Sequence, residues 1–404
     1  MRTYVAKRGS EDIAYLLFAV IFMNGFETGG YQAALMAIGN TYGMNEAQEG
    51  LLASTELFAT MIAPLILGSV ADRVGKKKML LLFTVVRVLS CFIMLPSGST
   101  MVFAVGIFFM GFAKSIIQYV AIAAMQDTYP VTGGTKTGLI TAMYATGAFV
   151  APYVVGFAGG TALSWKMTIL VDLIISAALF VLFSITDFSV REQKPIPTGD
   201  VAPQAAEPTG KIYAQGVFVL CFIMFIYVGA ENGIGFFLND YMTSQLKSSI
   251  GYAAVSIFWL MMIPSRILSG IFSRYHKHFI IFAPLGAAAL LFLLPALTQE
   301  ALAFILIAAL GFCCGAVYPN VLNFAYEYAA SKTATVDGFI TFATGVGGTV
   351  VSAAFGFLLD GIGFKSSFIV LALVMSLDIF AGLWCRHHPT NQAPHRRPRN
   401  VRSP

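Results

Sequence analysis

The stretch that decides the fold is GSVADRVGKKK at residues 68–78, which joins two long apolar segments near 50–71 and 78–97. A run of about 20 apolar residues is long enough to cross the hydrocarbon core of a bilayer as a helix. Within the connecting stretch, Gly68 and Gly75 permit a close helix approach and a tight turn. The sequence therefore predicts a helical hairpin of two membrane spans with a short basic loop.

The composition indicates that such segments fill the chain. Of its 404 residues, 57% are hydrophobic and only 11% are charged, against roughly 25% charged residues in soluble domains. A core of ordinary size cannot bury that much apolar surface, so lipid is expected to act as its solvent. This excludes a soluble enzyme and a nucleic-acid binder. The five cysteines are expected to be reduced packing residues.

Twelve apolar segments are predicted to span the membrane. They lie near 13–34, 50–71, 78–97, 101–125, 135–158, 165–187, 212–240, 249–272, 278–297, 300–326, 335–360 and 364–385. The proline-containing residues 188–211 are predicted to be a cytoplasmic linker between an N-terminal half at 1–187 and a C-terminal half at 212–386. The basic residues 387–404 are predicted to be a disordered cytoplasmic tail.

The distribution of Lys and Arg predicts the orientation. With the N-terminus inside, 19 of the 25 basic residues fall in inner segments and only three fall in outer loops. We therefore expect both termini to be cytoplasmic, in a multi-pass protein of a bacterial inner membrane.

The two halves repeat each other at an offset close to 200 residues. The pentapeptide GFETG at 25–29 in the first span matches GAENG at 229–233 in the seventh, and the pair at 111–112 matches the pair at 311–312. One six-helix unit that occurs twice in parallel is a transporter architecture with its site between the halves.

The stretch at 68–78 resembles the signature between helices 2 and 3 of the major facilitator superfamily, and every defining position is met. The resemblance implies an all-α membrane protein with twelve transmembrane helices as two six-helix repeats. It also implies a gating motif formed by Gly68, Asp72, Arg73 and Gly75, in which Asp72 caps the start of helix 11 and holds the cytoplasmic side shut. Spans 7–11 are similar to the fucose–galactose–proton symporter branch and its bacterial glucose-permease relatives.

A competing resemblance lies in the fifth span. Gly138, Gly147, Pro152 and Gly156 match the antiporter signature of the same superfamily, with two of its six positions substituted. This pattern favours an exporter as the alternative function. Small residues here also allow close packing of neighbouring helices, which is the simpler explanation.

Charged residues inside the predicted spans mark candidate functional positions, because ionisable groups at membrane depth are costly. The acids are Glu27, Glu56, Asp172, Glu231 and Asp378, and the bases are Arg87, Lys114 and Arg266. The acids outnumber the bases by two, and an acid without a basic partner can hold a proton near neutral pH. This excess predicts proton coupling. Glu27 and Glu231 are the candidates, since each lies in a repeated Gly-x-Glu-x-Gly. Glu56, Arg87 and Asp172 are expected to form a structural network, and Arg266 and Asp378 to lie near cytoplasmic ends.

Members of the resembled superfamily line their cavity chiefly with helices 1, 4, 7 and 10, which implies a set of substrate-binding candidates. They are Asn24, Tyr31, Lys114, Gln118, Tyr227, Asn232, Asn320 and Asn323. The helical rise also allows Lys114 to pair with Glu27. Lys114 is expected either to bind an anionic solute or only to neutralise this acid.

These observations predict a secondary active transporter and not an enzyme. No catalytic motif, phosphate loop, metal site or cofactor site is present in the sequence. The expected partners are a small-molecule substrate, a proton and the lipid bilayer, with no nucleic acid, and the expected functional unit is a monomer. The favoured function is proton-coupled symport of a small polar solute, either sugar-like or an organic anion. The alternatives are a proton antiporter that exports a metabolite or drug, and a non-transporting sensor.

Overall fold

A computed structural model of the chain describes residues 8–128, 133–159, 162–186, 212–328 and 333–388, and in these ranges it is helical with no β-strand. The helices are α1 (Arg8–Tyr42), α2 (Glu46–Val74), α3 (Lys76–Met94), α4 (Thr100–Thr128), α5 (Gly133–Phe157), α6 (Ala162–Ile185), α7 (Ala214–Asp240), α8 (Tyr252–Ile271), α9 (His276–Leu293), α10 (Glu300–Tyr328) and α11 (Thr333–His387). A π-helical turn at Tyr241–Gln245 extends α7. The all-helical prediction is therefore confirmed for the described residues.

The outer surface of the bundle is apolar. Within the described ranges, nine helices are long and apolar enough to cross a membrane. Large side chains such as Phe157, Met101 and Phe218 are 86%, 73% and 73% exposed. Exposed apolar area on this scale is unfavourable in water, so lipid covers this surface.

Several helix boundaries differ from the predicted spans. The first span was expected to end at residue 34, but α1 continues to Tyr42. The spans predicted at 335–360 and 364–385 form one continuous run, α11, which only Gly363 interrupts with φ 73° and ψ 171°. Glycine adopts this conformation without a steric cost, so one residue suffices as the turn. The predicted linker at 188–211 and the tail beyond His388 lie outside the described residues.

Glycines allow close helix packing within each of two helix groups. We call α1–α6 the N-terminal group and α7–α11 the C-terminal group. In the first, a Cβ at Gly147 of α5 would overlap the backbone carbonyl of Phe22 on α1. In the second, a Cβ at Gly347 of α11 would overlap the carbonyl of Phe225 on α7. The same helix contact therefore occurs once in each group.

The two groups meet through α2 against α11, α5 against α8, and α1 against α7. The Ser54 hydroxyl on α2 donates to the carbonyl of Thr349 on α11 at 2.7 Å. The Ser256 hydroxyl on α8 donates to the carbonyl of Phe149 on α5 at 2.8 Å. These hydrogen bonds lie in the part of the bundle nearer Tyr42, the end of α1 that was predicted to face outside.

The motif stretch forms the end of α2 and the start of α3. Gly75 is the single residue between these helices and has φ 95°, as expected for a glycine in a tight turn. Gly68, Asp72 and Arg73 lie on the last two turns of α2. Their side chains are outside the described part of the structure, so the predicted gating contact of Asp72 stays a prediction.

Candidate transport site

Three charged side chains from three helices meet at the centre of the N-terminal group. Lys114, at the middle of α4, places its Nζ 2.7 Å from Glu27 Oε2 of α1 and forms a still closer ion pair with Glu56 of α2. All three side chains are more than nine-tenths buried. We call Glu27, Glu56 and Lys114 the three-charge cluster. The pairing of Lys114 with Glu27 that the sequence allowed is present, and Glu56 is an additional partner.

Two hydroxyl groups connect the three-charge cluster to the interface between the helix groups. Lys114 Nζ donates to Thr28 Oγ1 at 3.0 Å, and Thr28 Oγ1 lies 2.7 Å from the hydroxyl of Tyr144 on α5. The ring of Tyr144 packs edge-on against Trp259 of α8, with centroids 6.0 Å apart. Trp259 Nε1 in turn donates to Gln32 Oε1 of α1 at 2.8 Å. A change of charge at Lys114 can therefore be transmitted to an aromatic pair that joins the groups.

A second buried ion pair lies beside the three-charge cluster. Arg87 of α3 forms a bidentate pair with Asp172 of α6 and also donates to Asn24 Oδ1 at 2.5 Å. Asn24 Nδ2 donates to the backbone carbonyl of Lys114 at 3.0 Å. Arg87 and Asp172 form the expected pair, and Glu56, the third member of the expected network, pairs with Lys114 beside it. Asn24 has protein partners at both amide atoms and is fully buried, so it connects Arg87 to the backbone of Lys114.

The C-terminal group holds a looser carboxylate–guanidinium contact. Arg266 Nη2 of α8 lies 3.8 Å from Glu231 Oε1 of α7, and its side chain is 30% exposed. Arg266 and Glu231 therefore lie within ion-pair distance of each other, a contact that the sequence did not predict. Asp378 is fully buried, and neither of its carboxylate oxygens has a hydrogen-bond partner among the described residues.

The remaining candidates separate by exposure. Gln118, Asn232 and Asn323 are half-buried. Tyr227 and Asn320 are fully buried, and Asn320 Nδ2 donates to the carbonyl of Ala316 on its own helix.

Tyr31 is buried in an edge-on contact with Phe236 of α7. The hydroxyl groups of Tyr31 and Tyr227 are buried without a hydrogen-bond partner among the described residues.

Sequence reasoning missed Gln32 and Tyr144 as site residues. Tyr144 lies on helix 5, which the resemblance does not place among the cavity-lining helices. The available signal was Gly25, where an added Cβ would overlap the backbone of Tyr144. That glycine brings α1 and α5 close enough for the contact between Thr28 and Tyr144.

A helical bundle with an apolar exterior and paired charges buried at its centre is the structure of a multi-pass membrane transporter. Residues 17–351 match the Major Facilitator Superfamily, and the chain belongs to this family. A glucose/galactose transporter of Brucella abortus biovar 1 (strain 9-941) is 24% identical over 389 residues, which cover 91% of this chain and 92% of the relative.

Two solved structures share the fold. A crystal structure of the nucleoside transporter NupG superposes with a TM-score of 0.75 at 16% identity and covers 92% of this chain and 99% of the other. FucP, a family member in the outward conformation, gives 0.61 at 16% identity and covers 94% and 99%. The protein is accordingly an integral membrane protein and a secondary transporter of small solutes, and its relatives are transporters and not enzymes.

Proposed function

We propose that this protein is a proton-coupled symporter that carries a neutral, hydroxyl-rich solute of sugar size by alternating access. The observation that carries this proposal is the shared position of Lys114 between Glu27 and Glu56. Two carboxylates compete for one ammonium group, so the cluster has room for one proton. A proton-coupled carrier needs a cluster of this kind, which can bind a proton in one state and release it in another.

The neighbouring charges strengthen the argument. Glu27, Glu56 and Asp172 provide three negative charges, and Lys114 and Arg87 provide two positive charges. A net charge of −1 in a dry region is unfavourable, and one proton removes it. Because Arg87 holds Asp172 in a bidentate pair, the proton goes to the three-charge cluster. Glu27 is the favoured acceptor, since its Oε1 is buried and has no hydrogen-bond partner among the described residues, whereas Glu56 Oε1 accepts a hydrogen bond from Lys114.

The same geometry favours a neutral solute over an organic anion. Lys114 is 5% exposed and already has two carboxylate partners. Its charge is therefore not available to an anionic solute. A relative that matches nearly the whole chain is a glucose/galactose transporter, which agrees with this choice.

The solute would bind between the helix groups, beside the pair of Tyr144 and Trp259. Aromatic rings offer apolar faces, and a few placed polar groups give orientation and specificity. Gln118, Asn232 and Asn323 are the half-buried amides on the helices that the family uses to line its cavity. Thr28 would connect this site to the three-charge cluster through its contacts with Lys114 and Tyr144.

Alternating access requires two bodies that rock against each other. We assign these bodies to the N-terminal and C-terminal groups, as two six-helix repeats with α11 counted as two spans that meet at Gly363. Equivalent contacts support this assignment, since Gly147 and Gly347 each pack on the helix that begins their group. The interface contacts near Tyr42 would then close the outer side, and the motif at 68–75 would close the cytoplasmic side through Asp72 in a monomer.

The predicted orientation places both termini in the cytoplasm of a bacterial inner membrane. The exporter alternative loses part of its support, because two of its signature residues serve helix packing: Gly147 contacts α1 and Gly156 contacts Tyr252 of α8.

The test is solute movement in proteoliposomes under an imposed inward proton gradient, with D-glucose, D-galactose and uridine as probes. We expect accumulation of a hexose that collapses when a protonophore is added. Efflux of the probe against its gradient under the same conditions would instead support the exporter, and flux that ignores the gradient would refute proton coupling.

A further inference from the structure

A small cavity lies inside the N-terminal group beside Glu27. Its volume is about 30 Å³, and its walls come from α1, α3, α4 and α6. Along α1 the lining runs from Glu27 through Tyr31 and Ala34 to Ile38, which is roughly 16 Å at the helical rise. The cavity therefore extends from the three-charge cluster toward the end of the bundle that was predicted to face outside.

The volume is large enough for ordered water, since a cavity needs about 10–15 Å³ to hold one water molecule. Two of the lining residues carry polar atoms that can form hydrogen bonds to water. Glu27 Oε1 and Tyr31 Oη are buried, and neither has a hydrogen-bond partner among the described protein atoms. Buried polar atoms in native proteins nearly always bond to protein or to ordered water. Asp172 also lines the cavity and offers a third polar neighbour, so a water there meets the two to four partners it needs.

The rest of the lining is largely apolar, and the cavity is narrow. Met94, Phe103, Ile107 and Met110 form much of the wall between the polar end and the outer end. Such a wall excludes a solute of sugar size and admits only water or a proton on water. The cavity is thus separate from the proposed solute site, which lies between the helix groups.

We propose that this cavity holds ordered water that bridges Glu27 and Tyr31 and relays the proton between the outer solution and Glu27. This inference rests on the proposed coupling role of Glu27. A hydronium ion in the cavity gives one proton to Glu27 Oε1. Its O–H bond breaks as the carboxylic O–H forms, and neutral water and a neutral acid remain. Lys114 then stays paired with Glu56, and the reverse step returns the proton to the water.

The electrostatic surroundings of Glu27 allow both states. The titratable and charged groups that face it are Lys114 of α4, Glu56 of α2, Arg87 and Cys91 of α3, Asp172 of α6, Tyr144 of α5, and Tyr31 of its own helix. Arg87 and Lys114 favour the carboxylate, whereas Glu56 and Asp172 favour the acid. The relay only moves the proton and does not select the state.

Two variants test the relay without touching Glu27. Ala34→Val adds two methyl groups to the wall, which is enough to fill a water-sized space, and Tyr31→Phe removes the hydroxyl while it keeps the ring against Phe236. Ala37→Val and Tyr213→Phe are the controls, because neither residue lines the cavity and no hydrogen bond of the Tyr213 hydroxyl is seen among the described contacts. The full-length protein is reconstituted with D-galactose as the probe, and an internal pH dye follows proton entry.

We expect the initial rate of proton-driven accumulation to fall roughly tenfold or more in Ala34→Val and Tyr31→Phe, since an assisted proton transfer is lost. Exchange of labelled for unlabelled D-galactose at equal pH needs no net proton transfer and should stay near the wild-type rate in Ala34→Val. Both controls should retain both rates. An unchanged proton-driven rate in both cavity variants, or an equal loss of exchange and accumulation, would overturn the relay.

A structure at a resolution that shows ordered water gives a test that needs no transported probe. We expect density within hydrogen-bond distance of Glu27 Oε1 and Tyr31 Oη in the wild-type protein and none in Ala34→Val. Clear density for both side chains with nothing between them would also overturn the inference. A different result would refute the proposed function: solute accumulation that is still driven by protons in Glu27→Gln. If that variant loses coupling while both cavity variants behave as wild type, only the relay fails.

Discussion

Ser54 and Ser256 make equivalent hydrogen bonds on opposite sides of the interface between the helix groups. Ser54 of α2 donates to the carbonyl of Thr349 on α11, and Ser256 of α8 donates to the carbonyl of Phe149 on α5. The donors are 202 residues apart and the acceptors are 200 apart, close to the offset of the sequence repeat. The interface near Tyr42 is therefore built from two copies of one contact, related by an approximate two-fold axis.

Removing both hydroxyls should weaken closure at this end. One buried hydrogen bond contributes about 1 kcal/mol, so Ser54→Ala with Ser256→Ala should shift the closed-to-open ratio by roughly 30-fold. Spin labels at Gln48→Cys and Lys365→Cys, in a background without the native cysteines, should report a longer distance population. Ser90→Ala is the matched control, because Ser90 bonds only within its own helix as far as the described contacts show. An unchanged distance distribution in the double variant would contradict this role.

Close packing of α1 on α5 should make Gly147 intolerant of any side chain. A Cβ there would overlap the backbone carbonyl of Phe22, whereas a Cβ at Gly270 on α8 would have no atom within 4 Å. Gly147→Ala should therefore lower the melting temperature in detergent, with a cost of about 1–3 kcal/mol. Gly270→Ala should be neutral or stabilising, because alanine is the better helix former. Equal melting temperatures for the two variants would contradict this prediction. They would show that α1 and α5 can move apart at Gly147 without loss of stability.

The buried pair of Arg87 and Asp172 should be essential for stability. Removing one partner of a buried pair leaves an uncompensated charge and costs about 3–5 kcal/mol, so Asp172→Asn should sharply reduce folded yield. The double change Arg87→Met with Asp172→Leu should recover much of it. Glu231→Gln should cost less, since Arg266 is 3.8 Å away and 30% exposed. Thermal unfolding monitored by size-exclusion chromatography separates these cases, and a mild Asp172→Asn would count against the network.

Lys114 should be required because it holds two carboxylates at once. Lys114→Gln leaves Glu27 and Glu56 without a cation, at a cost of about 3 kcal/mol or more, so D-galactose exchange should fall roughly 100-fold or more. The further change Glu56→Gln removes one of the two charges and should restore a large part of the exchange. Lys365→Gln, on an exposed position, serves as the control. Failure of Glu56→Gln to rescue any exchange would argue that Lys114 contacts the solute itself.

The all-helical membrane fold could be predicted from the sequence because apolar length and turn residues are local signals. Apolar length predicts a span, Gly75 predicts the tight turn after α2, and the offset near 200 predicts the repeated contacts of Gly147 and Gly347. The same rules misplaced helix ends such as Tyr42, where the hydropathy changes gradually and packing against neighbouring helices determines the end.

The site could be predicted only in part, because pairing depends on which way each helix faces. The spacing allowed Lys114 to reach Glu27, but it gave no information on Glu56, since α2 was not among the cavity helices of the resemblance. For Arg266, the sequence predicted only a position near the cytoplasmic end of α8. Its contact with Glu231 depends on how α7 and α8 are rotated about their axes, which the sequence does not show. Tyr144 carries no charge, so only the close approach of α1 and α5 at Gly25 could have indicated it.

The most direct test of the account is proton movement in proteoliposomes that contain Glu27→Gln, compared with Glu231→Gln and the wild-type protein. Addition of D-galactose at zero pH gradient should acidify the lumen in wild type and in Glu231→Gln. In Glu27→Gln it should cause no acidification, while labelled D-galactose still exchanges across the membrane. Galactose-driven acidification that persists in Glu27→Gln with unchanged pH dependence would contradict the central claim that Glu27 carries the coupled proton.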